Sequence, residues 1–140
     1  MQTVVDTCVV IDFLRGANPG ADYVEELLKT GDMAVTAITL FELRVGIKPN
    51  SRRDRILEKL FSIIPVLSFD KDAALRAAQI ENDLRAQGNV IGPADTFIAA
   101  ICLERDIPLA THNIEHFSRI PGLKVLPIEG MHIPSRPGSR

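Results

Sequence analysis

Tryptophan is absent from this sequence and tyrosine occurs once. Aliphatic side chains and alanine must therefore fill whatever core forms. Cysteine is scarce as well. Cys8 and Cys102 are the two thiols, and each lies within an apolar run. Two thiols make no disulfide framework, so reduced, buried cysteines are the expected state. No apolar stretch reaches the roughly 20 residues that a bilayer-spanning helix needs. The first 13 residues, MQTVVDTCVVIDF, lack a basic segment leading into a signal-like apolar run. The expected location is the cytoplasm, with no membrane partner.

An excess of positive charge is also missing. Sixteen Lys and Arg face 18 Asp and Glu, for a formal net charge of −2. That excludes the simplest nucleic-acid signature, a strongly basic domain that neutralises phosphates by itself. It leaves open an acidic site that meets phosphates through bound cations, and local basic patches beneath a near-neutral total.

What is present reads as alternation. Thr3-Val4-Val5 is a β-branched run that predicts a strand ending at Asp6. Asp6 or Thr7 can cap the short apolar helix from Cys8 to Leu14. A turn over Gly16 to Gly20 leads to a helix over Ala21 to Lys29, then a strand over Met33 to Thr36. Thr39 and Glu42 have the spacing of a capping box, which predicts a helix from there to about Ile47. Further helices are expected from Ser51, from Asp70 to about Gly88, and from Gly92-Pro93. Strands are expected at Pro65 to Leu67, Pro108 to Ala110 and Lys124 to Leu126. Short apolar strands separated by helices predict a single α/β domain over residues 1–128, with a central, mainly parallel sheet flanked by helices. The Pro-, Gly-, Ser- and Arg-rich segment 129–140 is expected to be a flexible tail.

In a parallel sheet, ligands bind beyond the carboxyl ends of the strands. Asp6 sits at such an end. Glu42 opens a helix after another strand. Asp95 lies in the first turn of a helix and shares a face with Ile98 and Ala99. Asn113 follows the strand ending at Ala110. Each has a local reading: Asp6 as a helix cap, Glu42 as a capping-box partner, Asp95 as a complement to a helix dipole, Asn113 as a turn residue. Their common placement at one sheet edge is a second reading, in which carboxylates converge. Converging carboxylates call for a hard cation with oxygen ligands, Mg²⁺ or Mn²⁺. Such an ion suits phosphodiester hydrolysis.

The ordered segments Val4-Val5-Asp6-Thr7, Thr39-Leu40-Phe41-Glu42-Leu43 with Gly46, Gly92-Pro93-Ala94-Asp95, and Thr111-His112-Asn113 with His116-Phe117 resemble the motifs of PIN-domain nucleases. The continuation from Arg119 to Leu126 resembles the VapC-type toxins within that family. The likeness runs from Thr3 to about Pro127. It implies a metal-dependent endoribonuclease acting as the toxin of a toxin–antitoxin pair. Asp6, Glu42 and Asp95 would be the catalytic acids, and with Asn113 they would hold Mg²⁺ or Mn²⁺. Thr7 and Thr111 would be hydroxyls that orient those ligands without touching the ion. The family often carries an aspartate where this chain has neutral Asn113, which suits one firmly held ion plus one that arrives with substrate. The implied partners are an RNA substrate, a cognate antitoxin, a second copy in a homodimer, and operator DNA through the antitoxin alone.

Other signals are set lower. His112 and His116 stand four apart, but a hard-cation site prefers oxygen, and zinc is not expected there. Asp12 shares no face with Asp6 and reads as solvated or as a local salt-bridge partner. Lys48, Arg52, Arg53 and Arg55 form a basic cluster that reads first as a solvated face and second as a contact for RNA phosphates. A phosphatase of the haloacid-dehalogenase type would need an aspartate where Cys8 stands. The alternatives are a non-catalytic α/β partner-binding domain and a PIN nuclease of RNA processing.

Overall fold

The computed structural model describes residues 1–128. The expected tail, 129–140, lies outside the described residues. Twelve elements follow one another: β1 (Thr3–Val5), α1 (Thr7–Arg15), α2 (Gly20–Thr30), β2 (Met33–Thr36), α3 (Ala37–Arg44), α4 (Arg52–Ile63), β3 (Val66–Leu67), α5 (Lys71–Gln87), α6 (Pro93–Arg105), β4 (Leu109–Thr111), α7 (Ile114–Phe117) and β5 (Val125–Pro127). The strands form one sheet in the order β3-β2-β1-β4-β5, and every pairing is parallel. The chain builds outward from β1 through β2 to β3, then returns to add β4 and β5 on the other side. The reversal falls between β1 and β4. That is where an open parallel sheet leaves a crevice beyond its carboxyl edge.

Strand alternation explains how such short strands hold the layers together. Val4, Ala34 and Leu109 face a core completed by α5 and α6, including Ala77, Leu84, Ile98 and Ile101. Val5, Val35 and Ala110 face the other, with Val9, Val24, Leu57 and Leu60 from α1, α2 and α4. Successive residues of one strand thus serve opposite cores, as the period of two requires. Small residues in the strands and in α6 (Ala34, Ala99, Ala100, Ala110, all fully buried) bring helix and sheet close without aromatic bulk.

The expected helix starts are met at Ser51, which caps α4 through Asp54 N–H, and at Asp70, which caps α5 through Ala73 N–H. The capping box at Thr39 is not met. α3 starts two residues earlier, because β2 runs straight into it and Thr36 is the cap, accepting from Thr39 N–H at 3.2 Å. Thr39 is fully buried inside the helix, so Glu42 is not its capping partner. The turn expected after β4 contains a short helix, α7, that the sequence pattern did not suggest.

Candidate active site

Asp6 is both a helix cap and a site residue. β1 ends on it, its own N–H bonds Ala110 O on β4, and its Oδ1 accepts from Thr7 N–H at 2.9 Å to open α1. The other oxygen, Oδ2, accepts the Thr111 hydroxyl at 2.6 Å and lies 3.6 Å from the Cys8 thiol. Asp6 is only 5% exposed. Burial pushes its pKa up, the negative charge of Asp95 adds to that, and the Thr111 and Thr7 hydrogen bonds oppose it.

Glu42 reaches the same place from α3. Its Oε1 accepts the Thr7 hydroxyl at 2.6 Å, and that hydroxyl also lies 3.0 Å from the hydroxyl of Thr39. Thr7 therefore ties the start of α1 to α3. Asp95 arrives from α6, in the first turn after a Gly92-Pro93 start whose Gly92 takes φ of +98°, a region that favours glycine. Its Oδ2 lies 3.2 Å from His116 Nδ1 and 3.4 Å from Asn113 Nδ2. Asn113 follows β4, and its N–H donates to Thr111 Oγ1 at 2.9 Å. Its amide nitrogen is also 2.9 Å from His116 Nδ1.

Asp6, Thr7, Cys8, Ile11, Glu42, Asp95, His112 and Asn113 line one cleft of about 470 Å³ beyond β1 and β4. The candidate acids and Asn113 are thus brought together. Thr111 lies beneath the cleft wall, fully buried, with its hydroxyl on Asp6.

Three residues take places that sequence reasoning did not give them. Asp12 is partly buried and its partner is not local: its Oδ2 is 2.6 Å from His112 Nε2, a residue 100 positions away. Cys8 is not a core thiol like Cys102. It is half-buried at the cleft, and burial together with the charge of Asp6 pushes its pKa up to about 11. His116 touches Asp95 and Asn113. The two histidines turn to different carboxylates, Asp12 and Asp95. Local spacing carries no sign of the Asp12–His112 and Asp95–His116 contacts, because β4 and its loop bring them in from afar. The adjacency of Cys8 to Asp6 was the one available signal for the thiol.

A family model for the PIN domain matches residues 3–123. The chain is a PIN-domain protein. It is 34% identical over 128 residues to the tRNA(fMet)-specific endonuclease VapC of Shigella flexneri, covering 89% of this chain and 96% of that one. It is 29% identical over 122 residues to the ribonuclease VapC19 of Mycobacterium tuberculosis, covering 86% and 96%. In three dimensions it is similar to a chain of the DNA-bound VapBC complex of Salmonella typhimurium, with a TM-score of 0.78, 29% identity, and coverage of 91% and 98%. Its place in the PIN family is therefore among the VapC ribonucleases. Among the described residues, no helix is long and apolar enough to cross a membrane.

The donors at this PIN-domain cleft fit a hard divalent cation. All four candidate ligands offer oxygen, and the raised pKa of Asp6 reflects its burial and the negative charge of Asp95 nearby. Among the described residues, no three Asp, Glu, His or Cys side chains are grouped tightly enough to hold a metal ion by themselves.

Proposed function

We propose that this chain is a Mg²⁺- or Mn²⁺-dependent endoribonuclease acting as the toxin of a toxin–antitoxin pair. The observation that carries the catalytic part is the meeting of Asp6, Glu42 and Asp95 in one cleft from three separate elements. Local capping alone gives no reason for that meeting. The toxin reading rests on the VapC relatives and on the similar VapBC complex. Asp6 and Asp95 would be the direct ligands, with Asn113 through its side-chain oxygen. A bound ion supplies Lewis-acid polarisation of the phosphoryl oxygen and a more acidic water.

The chain's own groups do the rest. Thr111 and the Thr7 N–H fix the two oxygens of Asp6, so its carboxylate does not have to be reorganised when substrate arrives. Thr7 holds Oε1 of Glu42, leaving Oε2 to take a proton from the attacking water. The water oxygen bonds to phosphorus as the bond from phosphorus to the 3′-oxygen breaks, and that oxygen takes a proton from solvent, giving a 3′-hydroxyl and a 5′-phosphate. An antitoxin would hold this activity in check, the working unit would be a homodimer, and operator DNA would be met through the antitoxin.

The test is direct. Purified protein should cut single-stranded or looped RNA with Mg²⁺ or Mn²⁺ and stop in EDTA. Its expression alone should arrest growth, and the adjacent small gene should rescue it. Equal cleavage in chelator sinks the metal-dependent reading. A chain harmless when expressed alone in its native host sinks the toxin reading.

A further inference from the structure

The bend between α3 and α4 carries charge that the fold does not use. Residues 42–55 hold five of the chain's 16 Lys and Arg (Arg44, Lys48, Arg52, Arg53 and Arg55) and only two carboxylates, Glu42 and Asp54, in a protein of net charge −2. Two of the five cations build the bend. Arg44 pairs with Asp54, Asp54 also accepts Asn50 N–H at 2.8 Å, and Arg55 donates to Asn50 O at 2.7 Å. Asn50 itself takes φ of +62°, and Ser51 caps α4. The bend is thus held by its own hydrogen bonds.

The side chains of the other three, Lys48, Arg52 and Arg53, are exposed and make no ion pair or hydrogen bond among the described residues. Arg52 and Arg53 occupy the first two positions of α4. Cations there oppose the helix dipole, while the free N–H groups of a first turn favour anions. The arrangement costs stability in the isolated chain and becomes favourable once a phosphate sits on it.

Beside these cations α3 presents an apolar strip. Phe41 is 67% exposed and Val45 61%, one helical turn apart on the same face. Phe41 is next in sequence to Glu42, whose carboxylate lines the acidic cleft. An exposed aromatic ring next to unpaired cations is the pairing that binds single-stranded nucleic acid: the ring stacks on an unpaired base and the cations meet successive phosphates.

We propose that Phe41, Val45, Lys48, Arg52 and Arg53 form a track for the RNA strand, with Phe41 stacking on a base that flanks the scissile phosphate and the three cations holding the backbone beyond it. This rests on the ribonuclease reading and specifies where its substrate lies.

The test measures binding apart from cleavage. A fluorescently labelled 12-nucleotide single-stranded RNA is titrated by anisotropy onto full-length Asp95→Asn protein at several salt concentrations. Adding Lys48→Gln, Arg52→Gln and Arg53→Gln together should flatten the plot of log affinity against log salt by about 2, since each phosphate neutralised on a single strand adds roughly 0.7 to that slope. Adding Phe41→Ala should weaken binding on the order of tenfold at every salt, and Phe41→Trp should restore it. In the protein with Asp95 intact, Phe41→Ala should raise KM with kcat little changed. Unchanged affinity and slope, where the Asp95→Asn parent binds RNA and the wild-type protein cuts it, overturns the track and leaves the ribonuclease reading standing. A parent that binds no RNA overturns both. If Phe41→Ala instead alters the oligomeric state or the grip on a protein partner while RNA affinity holds, the strip is a protein interface and the proposal fails.

Discussion

Asp6 and Asp95 face the same cleft from opposite conditions. Asp6 is buried, and each of its oxygens has a donor supplied by a different part of the chain: the α1 backbone on one side, β4 on the other. Asp95 is half-exposed, and its contacts are with side chains, His116 and Asn113, at 3.2 and 3.4 Å. The first carboxylate is built into the sheet. The second sits on a helix start with neighbours that can rotate. The fixed half sets where a cation can bind, and the looser half can adjust to what the cation and the phosphate bring. Each half makes its own predictions, and the contrast fails if the two respond alike.

The largest effect should be common to both. Asp6→Asn and Asp95→Asn should each lower RNA cleavage on the order of a thousandfold, the scale of losing one preorganised group at a reacting centre. A variant of either that keeps more than about a tenth of wild-type turnover removes that residue from the catalytic set.

The two should part on stability. Metal that binds only the folded state stabilises it by about 2.7 kcal/mol at a hundredfold excess over its dissociation constant. For a domain of this size the melting temperature should rise on the order of 10 °C. Asp95→Asn removes a charge that opposes ionisation of Asp6, so the metal-free variant should melt higher than wild type, and Mn²⁺ should shift it less. The reading of Asp95 as a helix-dipole complement predicts the reverse: a slightly lower melting temperature and no metal response. Melting curves with and without Mn²⁺ separate them.

Below that lie the supports. Thr111→Val keeps the shape and removes the hydroxyl donor to Asp6 Oδ2. It should cost 10- to 100-fold in metal affinity or activity, the usual range for a group that orients a ligand, and about 1 kcal/mol of stability. His116→Ala removes a support of the adjustable carboxylate and should cost less, about tenfold or under. Manganese affinity measured by calorimetry ranks the two, and a His116 loss exceeding that of Thr111 would reverse the assignment of fixed and adjustable halves.

The same contrast sorts what the sequence made legible. β1 ending at Asp6, β2, β4 and the caps at Ser51 and Asp70 all announce themselves within a few residues, through β-branched runs or side chains that bond the next turn. The candidate acids could be placed at the sheet edge because a parallel sheet puts strand ends there. The contacts among them could not. Thr7 to Glu42 spans 35 positions, Thr111 to Asp6 105, and His112 to Asp12 100. Glu42 shows how a local rule misleads: Thr39 and Glu42 have capping-box spacing, but β2 feeds directly into α3 and Thr36 takes the cap. Tertiary connection overrode the local pattern and left Glu42 free to meet Thr7.

The smallest predicted effect is a pH dependence centred on Asp6. Burial and Asp95 raise its folded pKa above the unfolded value near 3.9. Between those two values the folded chain holds the proton and the unfolded chain does not. Asp6 therefore contributes stability that is fully present below the unfolded pKa and is lost as pH rises through the folded pKa. Asp32 and Asp54, whose pKa values are lowered by hydrogen bonds and nearby cations, act in the opposite sense, so the total curve mixes both. The difference between wild type and Asp6→Asn isolates the one group. In EDTA, the advantage of Asp6→Asn over wild type should grow as pH rises from about 4 and then level off above the folded pKa. A saturating divalent cation should reverse the trend, because it binds the ionised carboxylate, and the metal-induced melting shift of wild type should shrink as pH falls toward the folded pKa. Denaturation of both proteins across that range, with and without Mn²⁺, gives the two slopes. Equal slopes for wild type and Asp6→Asn in EDTA would mean that Asp6 titrates as an ordinary surface acid, and the fixed half of the site would lose its electrostatic basis.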